Sequence, residues 1–210
     1  MAGWTALVTG GRLVPFLVRR WAGTRAFGRA EVIYFAHVVA LLAPGAETPQ
    51  HDAHQIEPSP LHGWSRWDRK LMIEEGRRQA DRQLSDLNEV RGRAQWLFTV
   101  GIAATIAIGG AFGADRATGA RAWLFIVSLV VLGYGLAGAV SIMAGKASFR
   151  NIDAAVLSHK PLPIERYLAD AFSRMLREGE NTISTRITIF RQAVLWVILG
   201  GYLGLIAVLT

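Results

Sequence analysis

The chain has 210 residues, 51% hydrophobic and 19% charged, with 23 Lys and Arg against 16 Asp and Glu for a formal charge of +7. It has no cysteine, which excludes a disulfide framework, a thiolate nucleophile and any cysteine-held metal. A basic excess points to nucleic acid in a soluble domain, but in a membrane protein it reflects Lys and Arg collected on the cytoplasmic side.

Residues 1–63 differ from everything after them. Up to Pro44 there are five Arg and a single acid, Glu31. The stretch "VIYFAHVVALLA", residues 32–43, is apolar but too short to span a bilayer. Three readings stay open for it: a signal-peptide core, an interfacial helix, or sequence ahead of the working protein's true start. A Pro-rich linker, "PGAETPQHDAHQIEPSP", follows without periodicity. His51, His54 and His62 lie in or beside this linker, without a carboxylate cluster or rigid element to fix metal geometry. The segment is therefore expected to be poorly ordered or interfacial, and a chain starting near Gly63 is expected to insert without it.

"SRWD", residues 65–68, has the form of a capping box, with Ser65 as N-cap and Asp68 reaching back. No proline interrupts the chain from there to residue 114. The expectation is one helix of about 48 residues, roughly 70 Å long, whose first part (64–93) runs directly into a first span. Its apolar stripe is thin: Ile73, Ala80, Leu84 and Leu87. Such a stripe suits a single partner helix; a solvated helix laced with pairs such as Glu74 and Arg78 is the alternative.

Three uncharged stretches are long enough to cross a bilayer, at residues 94–114, 122–145 and 192–210. The second contains "GYGLAG", residues 133–138, which matches the dinucleotide-binding spacing G-x-G-x-x-G. That fingerprint needs a strand, a tight turn and a helix N-terminus. Mid-span, such a turn would strand backbone polar groups in lipid, so the match is coincidental. The glycines point instead to close helix packing, because small residues let membrane helices approach. Read in fours, the candidate packing rows are Gly101, Thr105, Gly109, Gly113 in the first span and Gly133, Ala137, Ser141, Gly145 in the second. The third has Gly200 and Gly204, then Ala207. Leu at Gly109 or Gly133 is expected to disturb assembly, and Leu at Ala107 or Val131 to be nearly silent. Whether the partner helix lies within the chain or in another copy stays open.

Between the second and third spans (146–191), a helix starts at Pro163. Ile164, Tyr167, Leu168, Ala171, Phe172, Met175 and Leu176 make one apolar face. That face either packs on the long helix or lies on the membrane surface. Gly179 is expected to end it. Asn181, Ser184 and Thr185 would then cap a last helix, placing Arg186 and Arg191 at the headgroups. The basic residues concentrate before the first span and between the second and third, which puts both charged segments in the cytoplasm and the short 115–121 loop outside.

The fold class is thus an all-α integral membrane protein with three transmembrane helices. A long cytoplasmic helix is continuous with the first, and a cytoplasmic amphipathic helix lies between the second and third. The localisation is the cell (inner) membrane. No Asp, Glu, His, Lys or Arg lies inside the three spans, so the spans carry no proton relay or ion pathway of the usual kind. No nucleophile motif occurs, and the chain is expected to be non-enzymatic, without cofactor, metal or nucleic acid. The stretch "DRQLSDLNEVRGRAQWLF", the two spans after it and the helix from Pro163 together resemble the layout of the small SLATT-like membrane effectors of bacterial conflict systems. The third span departs from their two-span pattern. The resemblance implies a self-associating, pore-forming or membrane-disrupting effector in the lipid bilayer. The alternative is an adaptor or structural subunit tethering a cytoplasmic protein partner through Ile73, Leu84, Leu87, Ile164, Tyr167, Leu168, Phe172 and Met175.

Overall fold

A computed structural model describes residues 13–42, 48–50, 63–115, 118–145 and 164–210. Those residues form four helices: α1 (Leu13–Ala40), α2 (Arg66–Asp115), α3 (Gly119–Ala144) and α4 (Ile164–Leu209). There is no strand among them. By length and composition α2, α3 and α4 can each cross a membrane. The capping box closes the start of α2: the Ser65 N–H donates to Asp68 Oδ2 at 3.0 Å, and the Asp68 N–H donates to Ser65 Oγ at 3.2 Å. These bonds hold the exposed Asp68 carboxyl below its usual range. The helix then runs for 50 residues, about 75 Å.

The last helix is longer than its sequence suggests. Gly179 does not end it; α4 continues for 46 residues with Gly179 buried inside. A glycine stops a helix only where it turns left-handed, and a helical one costs about 1 kcal/mol, which packing offsets. Of the expected caps Asn181, Ser184 and Thr185, the last bonds back within the helix instead, as do two threonines beside it. Thr182, Thr185 and Thr188 donate back to the carbonyls of Glu178, Asn181 and Ser184, four residues earlier. Two of the three apolar stretches are therefore continuous with a charged extension, α2 below residue 94 and α4 below residue 192, and the two extensions pack together as a stalk. Arg66 Nε donates to Glu165 Oε1 at 2.9 Å near its tip.

Three helices meet along seams of alternating three and four residues. On α3 one buried row is Phe125, Ser128, Leu132, Gly135, Ala139 and Ile142, with Leu136, Gly138 and Ser141 buried beside it; on α2 the buried row nearest it is Leu87, Val90, Ala94, Leu97, Gly101 and Ile108. That 3.5-residue period is the pattern of helices wound around one another. α3 is the most enclosed of the three. Its contact with α4 is backbone against backbone. A Cβ at Gly200 would lie 2.8 Å from the Leu132 nitrogen, and one at Gly135 would lie 2.9 Å from the Val197 nitrogen. Ser128 Oγ fixes the register by donating to the Gly200 carbonyl at 2.7 Å.

The N-terminal segment corrects the sequence reading. Residues 32–40 are helical, with Ile33 and Tyr34 buried against α3 and α4 while Val32, Phe35 and Val39 stay exposed. The reason is a single complementary contact. Tyr34 sits where a Cβ at Gly138 would be 2.4 Å from its ring, and its hydroxyl donates to the Tyr134 carbonyl at 2.7 Å. Most of the Pro-rich linker, including His51, His54 and His62, lies outside the described residues.

Gly200→Leu is expected to destabilise the detergent-solubilised protein by on the order of 1–3 kcal/mol, because backbone cannot yield to the added side chain. Gly201→Leu, whose Cβ meets nothing within 4 Å, is expected to leave the thermal midpoint unchanged. A melting curve on the two variants checks the contrast.

Candidate functional site

The candidate packing residues divide into those the chain uses on itself and those it leaves open. Gly101 is buried, and a Cβ there would be 2.5 Å from Leu136 Cδ2. Thr105 is half-buried and its hydroxyl returns to the Gly101 carbonyl. Gly109 and Gly113 meet nothing within 4 Å. Geometry explains the divergence. Four residues turn a helix by about 400°, so a row read in fours rotates about 40° per step and about 120° over its length. The second row does the same. Gly133 is exposed with open space around it, Ala137 is half-buried, and Ser141 is buried with its hydroxyl on the Gly138 carbonyl. Gly145 ends the row at the C-cap of α3. Gly200, Gly204 and Ala207, spaced four and three, keep to one face, and all are buried.

The fingerprint glycines that matter are Gly135 and Gly138, which the rows in fours passed over. Gly135 admits α4 and Gly138 admits Tyr34. A reading in alternating threes and fours from Ser128 would have reached Gly135. Nothing local in the sequence pairs Gly138 with Tyr34.

The stalk candidates shift in the same way. Leu87 and Phe172 are buried; Ile73, Tyr167, Leu168 and Met175 are half-buried; Ile164 and Leu84 are exposed. The α2 contact face instead runs through Gly76 and Gln83 to Leu87. Gly76 receives Phe172, whose ring lies 3.1 Å from where a Cβ would be. Gln83 Nε2 donates to the Leu176 carbonyl at 2.9 Å. A glycine and a glutamine carry no apolar signal, so an apolar stripe could not find this face.

Two arginines tie α3 and α4 together at opposite ends. At the stalk end, Arg186 of α4 is buried and donates to the Ile142 carbonyl at 3.1 Å and the Gly145 carbonyl at 2.7 Å. Arg91 of α2 reaches the same Gly145 carbonyl at 3.4 Å. At the loop end, Arg121 of α3 donates to the Ala207 and Val208 carbonyls of α4. Each helix thus supplies the cation that satisfies the other's last carbonyls, where the helix dipole is negative. Burial, and after it the charge of Arg91, push the Arg186 guanidinium down to about 10, so it is still cationic at neutral pH. Along α4, Arg186 and Ala207 are 21 residues apart, about 32 Å, close to the thickness of a bilayer's hydrocarbon core.

Between these levels α1 adds an aromatic and polar cluster. Tyr34 stacks edge-on to Tyr134 with centroids 4.9 Å apart, and Tyr134 to Trp196 at 5.4 Å. Trp196 Nε1 donates to Glu31 Oε1 at 3.1 Å. No group of three His, Cys, Asp or Glu among the described residues is arranged to hold a metal ion. Compared with known families, curated proteins and solved structures, the chain matches none.

Arg186→Ala is expected to cost on the order of 1–3 kcal/mol, because buried carbonyls lose their donors. Arg93→Ala removes only an exposed pair with Glu89 and is expected to change stability by less than about 1 kcal/mol. Thermal unfolding of both variants in the same detergent checks the difference.

Proposed function

We propose that the chain is a small, non-enzymatic integral membrane protein that self-associates through outward faces of α2 and α3, with the stalk in the cytoplasm and the α2–α3 loop outside. One observation carries the self-association. The chain packs Gly101, Gly135, Gly138, Gly200 and Gly204 against its own helices, yet a Cβ added at Gly109, Gly110, Gly113 or Gly133 on α2 and α3, or at Gly201 on α4, would meet nothing within 4 Å. Glycine weakens a helix interior, and an open glycine has utility where another backbone approaches. Supporting the membrane placement, large apolar side chains such as Ile106 and Val130 are exposed on the spans. Trp96 and Trp123 are exposed near opposite ends of the apolar stretches, as in an aromatic belt.

In the effector reading, shared with the SLATT-like layout, the assembly perturbs the bilayer when the stalk receives a signal. The rigid continuity of stalk and span in α2 and α4 would transmit that signal. The adaptor reading has an observation of its own: Trp67, Leu71 and Leu84 are exposed on the stalk, where a cytoplasmic protein could cover them.

A cysteine at Thr118 is expected to react with impermeant maleimide from outside only, the native chain having no thiol to compete. Reaction from the cytoplasm alone would reverse the topology. In nanodiscs, Gly133→Leu and Gly109→Leu are expected to reduce oligomer mass without changing monomer stability. An unchanged mass for both, with a copurifying protein on the wild-type stalk, would favour the adaptor.

A further inference from the structure

The three apolar stretches contain no Asp, Glu, His, Lys or Arg, but α1 brings a carboxyl to them. Glu31 accepts its hydrogen bond from Trp196, inside the third stretch. One turn along α1, the fully buried Tyr34 bonds the carbonyl of Tyr134. Tyr134 is the sixteenth residue of the 26-residue α3. It therefore lies about 15 Å from the stalk end of that helix and about 22 Å from its loop end. This depth is near the middle of a hydrocarbon core about 30 Å thick.

The surroundings of Glu31 are neutral. α4 contributes the Trp196 indole, and α3 contributes the Tyr134 phenol. On α1 itself, Tyr34 faces α3 and His37 bonds the Ile33 carbonyl. Arg29, two residues before, is exposed. Arg186 is at the stalk end with its donors on helix carbonyls. Among the described residues no cation pairs with Glu31. A carboxylate in that position loses hydration that one indole N–H cannot replace, whereas the neutral acid costs far less.

We propose that Glu31 is a proton-binding site within the bilayer, held as the neutral carboxylic acid against Trp196. The site rests on the membrane placement proposed above. It gives the chain a titratable group that none of the three spans supplies.

A hydrophobic carbodiimide tests it on the full chain in lipid vesicles. A protonated carboxylic acid adds across the N=C=N group and rearranges to a stable N-acylurea, with no leaving group, while ionised carboxylates react slowly. Peptide mapping at pH 7 is expected to find Glu31 labelled at least about tenfold more than any stalk carboxylate, because the apolar layer holds both the neutral acid and the hydrophobic reagent. Labelling should fall as pH rises, and Glu31→Gln should abolish it at that peptide alone. A parallel sample carries cysteine at Val130, an exposed span position. If impermeant maleimide leaves that cysteine untouched and Glu31 still gains no adduct, the proton site is overturned and the membrane reading stands. If the cysteine reacts freely, the membrane reading fails and takes the site with it.

Discussion

The approach of α3 to α4 is the contact on which the other interactions depend. In lipid, apolar side chains gain nothing by leaving the solvent for one another, so association rests on close dispersion contact and hydrogen bonds. Gly135 and Gly200 remove the side chains that would hold the two backbones apart, and Ser128 bonds across the gap to the Gly200 carbonyl. Once the helices lie antiparallel in that register, Arg121 and Arg186 each fall beside the other helix's terminal carbonyls. A register slip of one turn, about 5.4 Å, would separate both arginines from their acceptors. The two ends thus reinforce the register that the glycines permit.

The surface that receives α1 is composite. Tyr134 from α3 and Trp196 from α4 form one stacked aromatic wall only because their helices are paired. Tyr34 fills the notch at Gly138, and Glu31 takes the indole N–H of that wall. α1 therefore adds a carboxyl to a bundle whose own spans carry hydroxyls, amides and indoles. It also ties docking of α1 to the integrity of the α3–α4 pair.

Function enters through continuity. α2 and α4 each pass from stalk to span without a break, so a displacement at the stalk moves the span as a rigid element. The stalk seam has no backbone-to-backbone approach like that of the span seam and is built from side chains: Phe172 on Gly76, the buried Leu87 and Ala169, and the bonds from Gln83 and Arg66. Its exposed ion pairs, such as Arg78 with Glu74, contribute little. A partner or second copy acting on the stalk would therefore meet a surface that can rearrange, joined to a membrane unit whose register is locked.

What the sequence determined by itself was local and one-dimensional. The uncharged runs set the three long apolar helices, Ser65 and Asp68 set the start of α2, and the place of "GYGLAG" in the middle of an uncharged run removed the nucleotide reading. Each depends on neighbours within a few residues or on a count along the chain. The tertiary structure decided which glycines face inward, that Gly179 stays helical, that Arg121 and Arg186 each bond the other helix's last carbonyls, and that Ile33 and Tyr34 dock. These depend on helix phase and on partners far along the chain. A row in fours drifts off the contact face by about 40° per step, and a tyrosine 104 residues from its glycine notch has no local signature. Composition could supply the small residues; only the packed register could say which of them were spent within the chain.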